Sequence, residues 1–253
     1  MTTDQNRTNE AVITTSKLTK RFGDFTAVNE ITLEVKGGEI FGFLGANGAG
    51  KTTAMRMLCG LSQPTSGDAT IAGFDVYRQR DDIKRNIGYM SQKFSLYEDL
   101  TVKENIRFFG GIYGLSLQQI KSKTEQMLDR LQLQGEAEKL VRALPLGWRQ
   151  KLAFSVALVH DPKIVFLDEP TGGVDPITRR QFWDMIYESA HDGVTVFVTT
   201  HYMDEAEYCH RASIMVDGHI EAMDSPVQLK HQFKANSMDE VFYQLARGAK
   251  RAD

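Results

Sequence analysis

The chain has 253 residues, 42% of them hydrophobic and 25% charged, with a formal net charge of -3. That length and balance suit a globular fold with a substantial core, of one domain or at most two. The mildly acidic charge gives no reason to expect a nucleic-acid partner, and two cysteines, Cys59 and Cys209, are too few for a disulfide framework and fit a reducing cytoplasm.

Residues 1–10, MTTDQNRTNE, are polar and carry no apolar segment, so they read as a disordered tail rather than a signal peptide. No apolar run approaches the roughly 20 residues that span a bilayer, so any membrane role calls for a partner. Residues 11–18 and 31–35 read as strands. Gly37-Gly38 then turns the chain into residues 40–44, IFGFL, a continuous apolar run of the kind buried on both faces of a sheet. A glycine-rich loop follows, then a helix over 51–61, a turn at Pro64, Ser66 and Gly67, and a strand over 68–74.

Residues 101–158 carry helical patterns and no strand. Thr101 with Glu104, and Ser116 with Gln119, have capping-box spacing. Alternation of strand and helix returns with strand 164–167, helix 176–189, strand 194–199, a short helix near 204–208 and strand 213–216. Asp217-Gly218 predicts a hairpin turn, and Ser237 with Glu240 caps a last helix carrying Met238, Val241, Phe242 and Leu245. This is an α/β pattern with a mostly parallel sheet, a β-rich N-terminal flank and an inserted helical block. The expected organisation is one domain over 11–253. Residues 11–92 and 160–235 form its core, 93–159 a helical subdomain and 237–247 the C-terminal helix.

Two stretches carry chemistry. Gly45-Ala46-Asn47-Gly48-Ala49-Gly50-Lys51-Thr52 matches the G-x-x-x-x-G-K-[ST] phosphate loop, between a buried strand and a helix as that motif requires. Its glycines let backbone N–H groups curl around phosphates while the helix directs its positive end at the same anion. Lys51 suits the outer phosphates and the Thr52 hydroxyl Mg²⁺. The second stretch, residues 163–169, KIVFLDE, is an apolar strand ending in two acids, where open α/β sheets bind ligands. Asp168 suits Mg²⁺, held through its waters, and Glu169 the orientation or deprotonation of an attacking water.

With both in place, the chain from about Thr15 onward resembles the ATP-binding cassette (ABC) ATPases, of P-loop, RecA-like fold with an antiparallel N-terminal β flank. The order of features carries the resemblance: phosphate loop, Tyr89-Met90-Ser91-Gln92, helical insertion, a glycine-containing helix start, Asp168-Glu169-Pro170-Thr171, Gly173-Val174-Asp175, and His201 after a strand. The resemblance implies that Gly45, Asn47, Gly48, Ala49, Gly50, Lys51, Thr52 and Thr53 bind ATP. Phe22 then stacks on adenine, the alternative being a core phenylalanine. By the same resemblance Gln92 reaches the metal and water, joining Thr52 and Asp168 as metal ligands, and His201 touches the γ-phosphate. Glu169, His201, Gln92 and Lys51 make the catalytic set, and Asp175 faces a second subunit, a role compatible with capping the helix at Pro176.

The family's Leu-Ser-Gly-Gly-Gln signature, which closes over the ATP of a partner subunit, is here Leu144-Pro145-Leu146-Gly147-Trp148. Pro145 brings neither hydroxyl nor N–H. Gly147 and Trp148 can still aim backbone N–H groups at a phosphate across a dimer; a packing role for Trp148 and Pro145 is the alternative. The resemblance further implies two Mg-ATP between two ATPase subunits, identical or related, and a separate integral-membrane permease docked near residues 94–105. Membrane contact then comes only through that permease, at the cytoplasmic face of the inner membrane. The segments TTHYMDEAE (199–207) and SMDEVF (237–242) look like those of bacterial exporters. A repair or ribosome-associated ABC ATPase, and a catalytically weak ATP-binding module, are the rival classes.

Overall fold

The computed structural model describes residues 10–92 and 96–248. Its centre is a six-stranded sheet of order β10-β9-β3-β8-β7-β6: β3 (Ile40–Gly45), β6 (Ile87–Met90), β7 (Ile164–Asp168), β8 (Thr195–Thr200), β9 (Arg211–Val216) and β10 (His219–Asp224). All neighbours in it run parallel except β9 and β10, which form the hairpin predicted at Asp217-Gly218. Strands β3, β7 and β8 are buried at every position, as continuous apolar runs in a sheet covered on both faces must be. Phe197 anchors this layer, with ring centroids 5.5 Å from Phe41, 5.3 Å from Phe43 and 5.3 Å from Phe166. Burial of each such ring contributes about 1.5–3 kcal/mol.

A second sheet of order β2-β1-β4-β5 is antiparallel and forms the N-terminal flank: β1 (Ala11–Phe22), β2 (Phe25–Lys36), β4 (Ser66–Ile71) and β5 (Phe74–Asp75). The first two strands run longer than their apolar cores suggest, because β1 is paired on both sides and its polar ends stay in the ladder. Helix α1 (Lys51–Leu58) packs between the sheets through Ala54, Met55, Met57 and Leu58, and ends three residues sooner than predicted, at Cys59 and Gly60.

The helical block holds α3 (Val102–Ile112), α4 (Leu117–Arg130) and α5 (Leu146–Ala157); α3 and α4 start at the two predicted capping boxes, both fully formed. Between α4 and α5 the chain is irregular, with two short 3-10 turns and one bridge, Thr101 to Leu140, where helix alone was expected. α6 (Pro176–His191) follows β7, and the short segment after β8 is a 3-10 helix, Met203–Tyr208. Two short helices, α2 (Arg80–Asn86) and α7 (Pro226–Gln232), and strand β6 were not predicted; α8 (Met238–Gly248) is the last helix. The expected tail lies almost wholly outside the described residues.

Candidate functional site

Strands β3, β8, β7 and β6 are adjacent and parallel, so their C-terminal ends open on the same edge. Each delivers one piece of a site there: the glycine loop after β3, Thr199 and His201 at the end of β8, Asp168 and Glu169 at the end of β7, and Gln92 just past β6. Strand register makes this unavoidable, since Asp168 pairs with Thr199 and Phe43 with Thr199 across the ladder.

The glycine loop is built for backbone. Gly50 sits at φ 105°, and a Cβ there would lie 2.3 Å from the Ala27 carbonyl oxygen, so no side chain fits. It precedes α1 with no side-chain cap, which leaves the first N–H groups of the helix facing the loop. The Lys51 side chain is buried and folds back, its Nζ donating to the carbonyls of Gly45 (2.7 Å) and Ala46 (3.1 Å). Burial pulls its pKa down, opposed by the charges of Glu169 and Asp168.

Asp168 is buried and accepts from the Thr199 hydroxyl at 2.6 Å and from Thr52 Oγ1 at 3.4 Å. Burial pushes its pKa up, with the Thr199 hydrogen bond working the other way. Glu169 adopts a left-handed backbone, φ 49°, uncommon for a residue with a side chain. Its N–H is held by the Thr199 carbonyl (3.1 Å) and the Thr199 hydroxyl (3.2 Å). The Glu169 carboxylate is the hub. Gln92 Nε2 donates to its Oε2 at 2.9 Å, His201 Nδ1 lies 3.0 Å from the same oxygen, and Lys51 Nζ lies 3.7 Å from Oε1. An ionised carboxylate only accepts, so the His201 Nδ1–H donates.

The donor set fits Mg²⁺. A hydroxyl, a buried carboxylate and an amide oxygen are hard ligands of the kind that ion takes, and it keeps waters and substrate phosphates as further ligands. Among the described residues no group of three or more His, Cys, Asp and Glu could cage a metal unaided. Phe22 is 55% exposed at the end of β1, with Lys20 Nζ 5.1 Å from its ring centre, which removes the core alternative.

Gly147, Trp148 and Asp175 gather elsewhere, around one cleft with Thr178. Pro145 is the N-cap of α5 and makes no side-chain capping bond; the first helical bond is Arg149 N–H to the Pro145 carbonyl at 3.1 Å. The N–H groups of Leu146, Gly147 and Trp148 thus precede the helical ladder. A Cβ on Gly147 would lie 2.5 Å from Thr178 Cγ2, so glycine lets α5 approach α6. Asp175 caps α6, accepting from Ile177 N and Thr178 N at 3.0 Å each and from Thr178 Oγ1 at 2.6 Å; the Thr178 hydroxyl holds its carboxyl below the usual range. The Trp148 side chain is half-buried against the core of the helical block, with Lys151 Nζ 5.6 Å from its ring centre. Gln150 Nε2 donates to the Gly172 carbonyl at 3.2 Å, tying α5 to the loop after Glu169.

Sequence reasoning missed Thr199, whose one signal is a hydroxyl at a buried position of a strand otherwise read as an apolar element.

A family model described as ABC transporter matches residues 28–172. The chain belongs to this family. It is 48% identical over 242 residues to the probable multidrug ABC transporter ATP-binding protein YbhF of Escherichia coli, covering 93% of the chain and 42% of that protein. It thus spans less than half the length of this relative. It is also 36% identical over 220 residues to the Nod factor export ATP-binding protein I of Cupriavidus metallidurans, covering 87% of the chain and 73% of that protein. Among solved structures, an ATP-binding subunit of an ABC transporter superposes with TM-score 0.83 at 25% identity, covering 92% of this ABC chain and 99% of that one. A dimeric ATP-binding cassette in a post-hydrolysis state, bound to ADP and Pi, gives TM-score 0.76 at 26% identity, covering 84% and 98%. These are transporter proteins rather than repair or ribosome-associated ATPases.

Proposed function

We propose that this chain is the ATP-binding and ATP-hydrolysing subunit of an ABC exporter, dimerising around two Mg-ATP to drive a separate membrane permease. The observation that carries this reading is the Glu169 carboxylate, held at once by Gln92, His201 and Lys51 beside a phosphate loop and a buried Asp168. A solvated loop acid has no need of three such partners. They aim one carboxylate at a fixed point past the glycine loop, as a general base requires.

In this reading residues 45–53 wrap the phosphates with backbone N–H groups, and Lys51 neutralises the outer ones. The Lys51 ammonium donates to the loop's own carbonyls, which holds it beside the loop that would wrap the phosphates. Thr52, Asp168 and Gln92 hold Mg²⁺, which when bound offsets the negative charge of the phosphates. Glu169 orients or deprotonates the attacking water, His201 meets the γ-phosphate, and Phe22 stacks on adenine. Gly147 and Trp148 offer N–H groups, and Asp175 its loop, to the second ATPase subunit.

Among the described residues no helix is long and apolar enough to cross a membrane, and this reading gives the crossing to a permease. The exposed aromatic and apolar side chains Tyr97, Phe108 and Ile112, at the start of the helical block and along α3, support docking there. Residue 94, at the edge of the expected docking segment, lies outside the described residues. Names of relatives that include multidrug transport and Nod factor export support the export direction. Such a subunit works at the cytoplasmic face of the inner membrane.

Lys51→Ala should weaken ATP binding at least a hundredfold, since a buried cation paired to a charged group is worth several kcal/mol. Titration of a fluorescent ATP analogue checks it. Unchanged affinity would sink the phosphate-loop assignment.

A further inference from the structure

Thr199 makes three hydrogen bonds that meet at the two acids. Its hydroxyl donates to Asp168 Oδ1 at 2.6 Å and accepts from the Glu169 N–H at 3.2 Å, and its carbonyl accepts from the same N–H at 3.1 Å. The hydroxyl has one proton to give, and Asp168 takes it; its lone pairs remain for Glu169. The side chain is fully buried at the end of β8, paired directly with Asp168 in the ladder and two residues before His201. The Thr199 hydroxyl therefore holds the Asp168 carboxylate and shares the Glu169 N–H with the main-chain carbonyl of the same residue.

The Glu169 backbone needs such a hold. Its φ of 49° lies in the left-handed region, which is strained for a residue with a Cβ and persists only where the surroundings impose it. That turn is what swings the Glu169 side chain out of the strand direction of Asp168 and towards Gln92 and His201. A continuing strand would send consecutive side chains to opposite faces of the sheet. The Asp168 carboxylate, for its part, is buried, and among the described residues its hydrogen bonds are with Thr199 at 2.6 Å and, much longer, with Thr52 at 3.4 Å. Without Thr199 it keeps one weak donor.

We propose that Thr199 is a positioning residue for hydrolysis: its hydroxyl holds Asp168 in the orientation that receives the metal and Glu169 in the turn that presents its carboxylate to water. This rests on the ATPase reading above and adds to it a fully buried residue from the neighbouring strand, which acts through the two acids. A serine retains the donor and acceptor; a valine retains the shape and strand preference and loses both.

The test compares wild type with Thr199→Val, Thr199→Ser and Thr199→Ala in three readouts: thermal unfolding without nucleotide, ATP affinity with EDTA and with Mg²⁺, and steady-state turnover. Thr199→Val should melt near wild type and bind metal-free ATP equally well. It should lose about ten- to a hundredfold in turnover and most of the gain in ATP affinity that Mg²⁺ brings, the loss expected for one hydrogen bond to a charged group. Thr199→Ser should recover most of both. If Thr199→Val is too unstable to purify, Thr199→Ala reads the same two quantities. Wild-type-like turnover and Mg²⁺ response in the hydroxyl-free variants overturns the proposal while leaving the ATPase reading intact. So does equal loss in the serine variant. A wild-type chain that neither binds ATP nor responds to Mg²⁺ overturns the ATPase reading itself, and this proposal with it.

Discussion

The tip of the central sheet and the start of α5 are both assigned to nucleotide, and they are built in opposite ways. At the tip the two acids are held by groups from neighbouring strands, Asp168 by Thr199 and Glu169 by Gln92 and His201, while Lys51 is held by the carbonyls of its own loop. At α5 the helix opens on Pro145, with no side-chain cap and its first N–H groups ahead of the ladder. Its neighbours are arranged instead for packing, with Gly147 against Thr178, Trp148 on the helical-block core and Asp175 occupied as the cap of α6. On the proposed reading, one half of the nucleotide site is preorganised inside the chain. The other half is left for something outside it to complete.

The sharpest way to probe this contrast is Pro145→Ser. Serine restores both a hydroxyl and a better N-cap, worth about 0.5–2 kcal/mol to the helix. A hydroxyl reaching a charged phosphate adds about 1.5–3 kcal/mol, or roughly ten- to a hundredfold in closing affinity or turnover. The expected result is faster ATP turnover and more ATP-induced dimer on gel filtration. A variant that gains thermal stability alone would show that the contact across the dimer is made by backbone only.

A smaller effect tests the seam between helical block and core. His160, after α5, stacks on Tyr113 at the end of α3 with ring centroids 3.6 Å apart, and lies 3.1 Å from the Ile87 carbonyl of β6. Burial pushes its pKa down to about 4, partly countered by that carbonyl. The unfolded chain, with an ordinary value near 6.5, binds more protons than the native one between these limits. Native stability therefore falls as pH drops from about 6.5 towards 4. After allowance for partial exposure the loss is about 1–2 kcal/mol. Denaturant unfolding across that range checks it, and His160→Gln should flatten the slope. An unchanged slope in the variant would assign the acid sensitivity elsewhere.

Legibility followed how local each feature is. Residues 45–52 and 163–169 could be read directly, because a phosphate loop and a buried strand ending in acids are continuous in sequence. Both capping boxes and the Asp217-Gly218 hairpin were equally plain. Strand β6 escaped because its four residues show no alternation, and α2 and α7 because seven residues are too few for a helical period. The hub at Glu169 depends on four strand ends meeting, which only strand order decides. Gln92 and His201 were therefore placed by resemblance, and Thr199 was passed over. The side chain of Trp148 was ambiguous for the same reason, since its packing depends on where α5 sits against the helical block.

The most direct measurement is steady-state ATP hydrolysis by the purified chain beside Glu169→Gln, with nucleotide affinity measured on both. A glutamine at this position keeps the size of the side chain and loses the base. The prediction is Mg²⁺-dependent turnover in the wild type, reduced about 10²- to 10⁴-fold in the variant with ATP affinity unchanged. Equal turnover in the two proteins would contradict the account, because the carboxylate at the centre of the site would then take no part in hydrolysis.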